Sequence, residues 1–445
     1  MEATSVRTQT LGRILIRSVL AIAAALTVAG CQTPGLMATP NLYADGLREP
    51  FKSVPEPLQN NVAQVLYVTD RNPEYDENNV LYYGYKRSNS LAFGTADVQF
   101  GENIPWDTLV TESMSATRTE KLTPVITNVR EISRVAASNE RLEYVDGKSR
   151  VKESVLVEDD KKLKQFHAYI TERLQYSEQK EVYLFIHGYN NDFNAAVRTI
   201  GELWHFMGRA GVPIAYTWPA GRGGVRGYTV DRESGEFTIF HLKQCLRALA
   251  ACPSVERVNI IAHSRGTDVA MTALRELHLE NKGSGKVTRT ELKLGTVILA
   301  APDLDFEVVT QRFGAEGVNA VPERLVLYIS PEDKAIGVST WLFDSVRRLG
   351  KLRLSDLSEQ QRLNSRSFGH LEVIDTNVEK IDFFGHSYFY QSPAVSSDLI
   401  LVLRENRAPG AEFGRPLTNE GENFWRLDNG YPLLESVDAK KQSKK

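Results

Sequence analysis

The sequence predicts an α/β fold in which a mostly parallel central sheet is flanked by helices. From residue 182 onward, short runs of continuous apolar residues are typical of strands that are covered on both faces. Segments with helical spacing of apolar residues, such as 196–207, separate most of these runs. Alternating buried strands and amphipathic helices form parallel sheets, which gives the fold class. The strands are predicted at 182–186, 213–217, 258–262, 295–300, 325–329 and 371–374.

The part of the chain before residue 182 has a weaker pattern. Residues 138–160 are charged and poorly periodic, whereas 161–176 have the spacing of an amphipathic helix. A later helix is predicted at 237–251. Short stretches rich in Val, Tyr and Phe predict strands at 64–69, 81–85 and 98–100.

Composition and motif spacing exclude several classes of function. The formal net charge of −3 and the lack of an internal basic stripe argue against a nucleic-acid partner. No group of Cys and His has the spacing of a zinc site, so we expect no metal, and we expect no cofactor. The glycine-rich run 221–227 lacks the spacing of a nucleotide-binding loop, and no helix is predicted directly after it. We therefore interpret this run as the rim or lid of an active site.

The N-terminus has the features of an export signal. Arginines precede an apolar run at 18–30, which is shorter than the roughly 20 residues that a membrane-spanning helix needs. Residues 28–31 resemble the lipobox of bacterial lipoproteins, in which the chain is cut before a cysteine that is then lipidated. The resemblance implies that Cys31 anchors the protein to a membrane on the periplasmic face of a bacterial cell envelope. Gln32 stands where an inner-membrane retention signal has Asp, which favours the outer membrane.

The two remaining cysteines could pair in an exported protein. On one continuous helix, Cys245 and Cys252 would lie about 10 Å apart, beyond the roughly 7 Å that a disulfide allows. Pairing requires the helix to end before Cys252, and the sequence leaves this open. The expected segments are a signal peptide at 1–30, a tether at 31–60, an α/β domain at 61–403 and a C-terminal extension at 404–445.

A serine at the end of a predicted strand lies in the sharpest motif of the sequence. The strand 258–262 leads into Ala-His-Ser-Arg-Gly at 262–266, and a helical pattern follows. A serine between small residues at a strand-to-helix turn is typical of the nucleophile elbow, Gly-x-Ser-x-Gly, here with Ala262 in place of the first glycine. Ser264 is therefore the predicted nucleophile.

Two backbone amides are predicted to stabilise an oxyanion beside this serine. The amide of Arg265 lies at the start of the following helix, whose dipole favours negative charge. The loop after strand 182–186 should supply a second donor, and the amide of Tyr189 is the candidate because Gly188 lets the backbone turn inward. His187 in the same loop is interpreted as a structural residue that binds loop backbone.

The other members of a catalytic triad should follow in the order acid, then histidine. Asp333 lies just past the predicted strand 325–329, and His386 lies on a loop one strand later. Asp303, one strand earlier, is the alternative acid. In a triad the histidine takes the proton of the serine while the carboxylate orients the imidazole. We expect cleavage of an ester, or of a thioester or amide, through an acyl-enzyme.

Several spaced motifs together resemble an uncharacterised family of bacterial α/β-hydrolase proteins with a fold of the lipase and esterase type. The resemblance covers about 60–400 and implies the α/β-hydrolase fold with the triad Ser264, Asp333 and His386, without indicating a substrate. Where that family commonly has Met after the nucleophile, this chain has Arg265, a cation that could favour an anionic substrate. The motifs lie at 185–191, 217–219, 262–266, 301–303, 328–333 and 385–389.

Two alternatives stay open. A catalytically weak protein of this fold could serve binding or envelope organisation, although Ser, Asp and His in register argue against this. Acyl transfer to an acceptor other than water would use the same residues, since fold alone does not separate these activities.

Overall fold

The computed structural model of the chain describes residues 35–43, 46, 48–333, 347–366, 368, 370–379 and 388–432. The expected signal peptide and Cys31 lie outside these residues. The strands are β1 Val62–Tyr75, β2 Leu81–Phe100, β3 Pro124–Arg134, β4 Leu142–Val145, β5 Lys148–Val151, β6 Glu181–Ile186, β7 Val212–Thr217, β8 Arg257–His263, β9 Leu294–Ala300, β10 Arg324–Ile329, β11 Leu371–Asn377, β12 Thr418–Gly421 and β13 Phe424–Asp428.

One large sheet organises the described part of the chain. Its eleven strands lie in the order β12-β13-β11-β10-β9-β8-β6-β7-β1-β2-β3 within the described ranges. Neighbouring strands are parallel from β13 through to β1. The antiparallel pairs lie at the two ends, where β1, β2 and β3 follow one another and β12 joins β13. The predicted mostly parallel sheet is confirmed, and β4 and β5 form a separate hairpin.

Helices cover both faces of this sheet. The helices are α1 Trp106–Met114, α2 Glu153–Leu174, α3 Phe193–Phe206, α4 Gly224–Ala251, α5 Gly266–Gly283, α6 Thr288–Glu291, α7 Phe306–Val309, α8 Glu359–Ser365, α9 Tyr388–Gln391 and α10 Pro393–Leu403. One apolar core joins α2, α4 and α5 to the sheet, and a second core joins α3 and α10 to it. The central strands are buried on both sides, which explains their continuous apolar sequence.

The carboxyl ends of the central strands meet at one edge of the sheet. In the parallel register Ile186 pairs with Ala262, His263 with Ala300, and Ala300 with Tyr328. The loops that follow β6, β8, β9 and β10 therefore start beside one another. These are the loops in which the sequence predicts site residues.

Helix α4 begins earlier than expected. It starts at Gly224, inside the glycine-rich run, so the prediction that no helix begins directly after that run is wrong. The first turns of α4 carry few apolar residues, and their polar side chains find partners on other loops, among them Asp303 for Tyr228. Such partners are distant in sequence, which is why periodicity did not reveal these turns.

Other elements are also longer than their sequence patterns. Strand β2 is continuous over both predicted stretches and the residues between them, because β1 and β3 pair with it. Helix α2 starts at Glu153, eight residues before the predicted start. Helix α4 ends at Ala251, and Cys245 and Cys252 are both buried and free.

The segment expected to be a tether packs against the domain from residue 35 onward. Leu36, Met37 and Tyr43 are buried, and the amide of Met37 donates to Oε1 of Glu202 at 2.8 Å. Arg118 binds the carbonyl oxygens of Leu36 and Met37. These contacts make the segment part of the apolar core beside α3.

The expected C-terminal extension also belongs to the sheet. Strand β13 pairs in parallel with β11, and Arg415 is fully buried between Asp398 of α10 and Glu372 of β11. The phenol of Tyr431 donates to the same Asp398. None of the helices in the described ranges combines the length and the apolar character needed to cross a bilayer.

Candidate active site

Ser264 occupies a strained turn between β8 and α5. Its φ of 52° lies in the left-handed region, which residues other than glycine adopt rarely and which clusters at functional sites. The turn is held because the amide of Ser264 donates to the carbonyl of Ala300 at 2.9 Å, and the amide of Thr267 donates to the carbonyl of Ser264 at 3.1 Å. The predicted strand–serine–helix elbow is thus present in the structure.

Two glycines allow this turn to contact the end of β6. A Cβ atom at Gly266 would lie 2.4 Å from the carbonyl oxygen of His187 and 2.5 Å from that of Ile186. A Cβ atom at Gly188 would lie 2.6 Å from Cβ and 3.2 Å from Oγ of Ser264. Only residues without a side chain permit such close approach, so the glycines bring the loop after β6 directly against the serine.

The two predicted oxyanion donors both lie beside Ser264. Arg265 precedes the first residue of α5, so its amide is at the positive end of a helix dipole. Tyr189 follows Gly188, whose backbone contacts the serine. No described residue accepts a hydrogen bond from either amide. Two amides for which no described residue is an acceptor, next to a proposed nucleophile, can stabilise an oxyanion.

His187 is a buried member of the loop, with no exposed surface. Its Nδ1 lies 2.9 Å from the carbonyl of Gly188, and its Nε2 accepts from the amide of Trp218 at 3.1 Å. Because a carbonyl only accepts, the proton of the neutral ring is on Nδ1. Burial, together with the nearby charge of Arg71, lowers the pKa of His187 to about 3, so the ring stays neutral. These contacts with loop backbone agree with the structural role predicted for it.

Asp333 lies just past the end of β10 and is fully buried. Its amide donates to the carbonyl of Ser330 at 3.1 Å, which closes a turn at the strand end. Burial, and then the charge of Asp333, raise the pKa of Tyr388 well above its usual value. Asp333 therefore lies near Tyr388, which follows His386 by two positions in the sequence. His386 itself is outside the described residues.

Asp303, the alternative acid, lies close to the same serine and contacts other groups. Its amide donates to the carbonyl of Ser264 at 3.4 Å. The phenol of Tyr228 donates to Oδ2 at 2.8 Å, and Nη1 of Arg348 lies 3.5 Å from Oδ1. Both carboxylate oxygens of Asp303 thus have a side-chain partner. No motif in the sequence indicated Tyr228 or Arg348 as a site residue.

The side chain of Arg265 forms an ion pair with Asp268, with Nη2 and Oδ2 2.8 Å apart. Asp268 and Asp303 are also the charges that favour the protonated guanidinium, whose pKa stays above its ordinary value although burial opposes this. The cation after Ser264 is therefore largely balanced by carboxylates, which weakens the expectation of an anionic substrate.

The other described histidines near these elements have packing roles. His263 stacks on Phe389 with ring centroids 4.4 Å apart, and Phe389 is fully buried, so these two rings serve packing. His205 and His241 are buried and hydrogen-bond to Ser113 and Asp70 respectively. In the part of the chain with described placement, no three His, Cys, Asp or Glu side chains are grouped as a metal site requires.

The glycine-rich run forms a rim over the loop after β6. The phenol of Tyr189 donates to the carbonyl of Gly224 at 2.8 Å, and its ring lies 5.3 Å from that of Tyr228. This agrees with the interpretation of the run as a rim. A cleft of about 340 Å³ lies elsewhere, at the amino ends of β1, β6 and β7, lined by Trp204 and Arg209 among others, and it contains none of the predicted site residues.

No curated protein matches the chain. A solved structure of an esterase from Pyrococcus furiosus is similar to it at 13% identity, covering 44% of this chain and 72% of the esterase, with a TM-score of 0.26. The model of the α/β hydrolase family of unknown function named DUF900 matches residues 162–404, which is more than half of the chain. The protein therefore belongs to this α/β hydrolase family.

Proposed function

We propose that this protein is a serine hydrolase that cleaves an ester, or a thioester or amide, through an acyl-enzyme on Ser264. The observation that carries the proposal is the left-handed turn at Ser264, which contacts Gly188 and lies next to two amides without a described acceptor. Membership of an α/β hydrolase family supports the same reaction class.

The proposed roles follow from the chemistry of each group. His386 takes the proton of the Ser264 hydroxyl while Oγ attacks the carbonyl carbon, and Asp333 orients the imidazole. The amides of Tyr189 and Arg265 stabilise the oxyanion of the tetrahedral intermediate. When this intermediate collapses, the leaving group receives the proton from His386. Water then attacks the acyl-enzyme with the same histidine as base, which releases the acid and restores the serine.

We also propose that the enzyme is exported and anchored through lipidated Cys31 at a bacterial envelope membrane. The support is the arginine-led apolar run that ends in a small residue and a cysteine. Incorporation of labelled palmitate into wild type, and its loss in Cys31→Ser, tests this part independently.

Labelling with a fluorophosphonate probe tests the catalytic proposal. The probe phosphonylates an activated serine with loss of fluoride, so wild type should be labelled and Ser264→Ala should not. The exposed Ser284, at the other end of α5, supplies a matched control, because Ser284→Ala should label like wild type. An unlabelled wild type would reject the proposal in favour of a binding or envelope-organising protein.

A further inference from the structure

Two buried side chains of opposite charge hold the loop that follows β6. We call residues 187–191 the oxyanion loop, since the proposed donor Tyr189 lies in it. Arg71, on β1, and Asp231, on α4, are both 1% exposed. Neither belongs to the proposed triad, and they come from two different elements of the fold.

Arg71 binds carbonyl oxygens and a ring nitrogen. Its Nη2 donates to the carbonyl of Asn191 at 3.0 Å and lies 3.4 Å from Nε2 of His187. Its Nη1 donates to the carbonyls of Gly84 and Ala220 at 2.7 and 2.9 Å. The guanidinium therefore ties one end of the oxyanion loop to the hairpin of β1 and β2 and to the segment after β7.

Asp231 binds backbone amides. Its Oδ2 accepts from the amide of Asn190 at 3.1 Å and from that of Gly221 at 3.2 Å. The same carboxylate thus connects the oxyanion loop to the glycine-rich run above it. Charged acceptors form stronger hydrogen bonds to amides than neutral ones, particularly where water is excluded.

Asp231 binds the peptide group directly after the one that contains the Tyr189 amide, and Arg71 binds the carbonyl two peptide groups further along. The peptide between Tyr189 and Asn190 presents its N–H to Asp231, and its carbonyl accepts from Nδ2 of Asn191 at 2.9 Å. If this peptide turned over, the carbonyl of Tyr189 would face a buried carboxylate, which is electrostatically unfavourable. Asn190 has a φ of 55°, so the loop needs such contacts to keep a conformation that the isolated chain rarely adopts.

We infer that Arg71 and Asp231 are positioning residues that keep the amide of Tyr189 directed at the reacting oxygen. The inference rests on the proposed function. A cation on the carbonyl side and an anion on the amide side together determine the direction of the loop's N–H groups. A hydrogen-bond donor stabilises an oxyanion only if it is oriented before the charge develops.

The variants Asp231→Asn and Arg71→Lys test this inference. Asparagine keeps one oxygen acceptor but lacks the charge. Lysine keeps the charge but lacks the planar guanidinium, whose two Nη atoms reach several carbonyls. Glu233→Gln removes a carboxylate from an exposed position of the same helix and is the matched control. The measurements are kcat and KM for a p-nitrophenyl ester, and the inhibition constant of an alkyl trifluoromethyl ketone, whose adduct with a serine carries an oxyanion.

We expect both variants to lower kcat by about 10- to 100-fold, below the roughly 100- to 1000-fold cost of removing a whole donor. The inhibition constant of the ketone should rise by a similar factor in both variants, whereas their KM should stay near the wild-type value. In the Glu233→Gln control, all three constants should stay near their wild-type values. A purely structural role would lower the amount of folded enzyme and leave the inhibition constant unchanged. That result, or wild-type kcat in either folded variant, would overturn the inference. An unlabelled wild type in the fluorophosphonate experiment would instead reject the proposed function itself.

Discussion

Replacing Gly266 with alanine tests the packing of the elbow against β6. Gly266 is the first residue of α5 and is buried, and its φ is outside the left-handed region. Alanine can therefore adopt the backbone conformation found there. The effect of the added methyl group comes from its neighbours alone.

The expected displacement can be worked from the distances. The new Cβ would lie 2.4 Å from the carbonyl oxygen of His187, whereas real Cβ atoms essentially never lie within 3.0 Å of another heavy atom. The start of α5 must therefore move away from β6 by at least the difference, about 0.6 Å. Neither neighbour can turn aside, because both are backbone carbonyls at the end of a central strand.

This displacement should separate Ser264 and Arg265 from the loop that carries Tyr189. Misplacement by 1 Å typically costs about 100-fold in rate, so we expect kcat/KM to fall by about 10- to 100-fold. Overpacking of this kind also destabilises a protein by about 1–3 kcal/mol. The free energy of unfolding should decrease by that amount.

The assays are ester hydrolysis, the rate of fluorophosphonate labelling, and urea unfolding followed by fluorescence. Gly283→Ala, at the other end of α5, is the control because no atom lies within 4 Å of its added methyl group. The control should keep wild-type activity and be slightly more stable, since alanine favours a helix over glycine by up to about 1 kcal/mol. If Gly266→Ala labels at the wild-type rate and unfolds at the wild-type midpoint, the close contact between the elbow and β6 is not a constraint.

Three further predictions concern single carboxylates or cations. Asp333→Asn should lower kcat by about 10⁴-fold, which is the effect of losing the acid of a triad. Asp303→Asn should lower kcat by less than about 10-fold. The reverse order of effects would assign the acid to Asp303. Burial raises the pKa of Glu202 to about 7, above its unfolded value, so its stabilising effect is present below about pH 4.5 and is lost as pH rises through 7. Urea unfolding should give a lower free energy of unfolding at pH 8 than at pH 5 for wild type, and a smaller difference for Glu202→Gln. An equal difference in both proteins would contradict the role of Glu202. Arg415→Met leaves Asp398 buried without its cation. The free energy of unfolding should decrease by about 3–5 kcal/mol, and a decrease below about 1 kcal/mol would show that this ion pair does not stabilise the fold.

The central sheet could be predicted because its strands carry a strong local signal. Every residue of β7 and β9 is buried, so no charged residue interrupts the mostly apolar runs that mark them. The turn at Ser264 could also be predicted from the sequence. A nucleophile elbow needs a small residue on each side of the serine within five positions, and this spacing is visible in the sequence. Gly188 was identified for a related reason, because only glycine fits where the loop meets the serine.

Elements whose stability depends on distant partners were not predicted. The first turns of α4 have no apolar stripe. Strands β12 and β13 are short, and β13 joins the sheet beside β11 whereas β12 pairs with β13. Residues 35–43 read as a tether, yet Arg118 and Glu202 bind their backbone. Hydrogen bonds to backbone groups leave no pattern in the sequence of either partner.

The sequence by itself determined the order of the buried strands, the strand–serine–helix turn at the end of β8, and the loops that hold the proposed partners of that serine. Such features follow from local burial and local backbone geometry, which residue type expresses directly. Only the tertiary structure decided that Arg71 and Asp231 both bind the same five-residue loop. Their charges are far apart along the chain, and they act together only because the sheet and α4 bring them to one place.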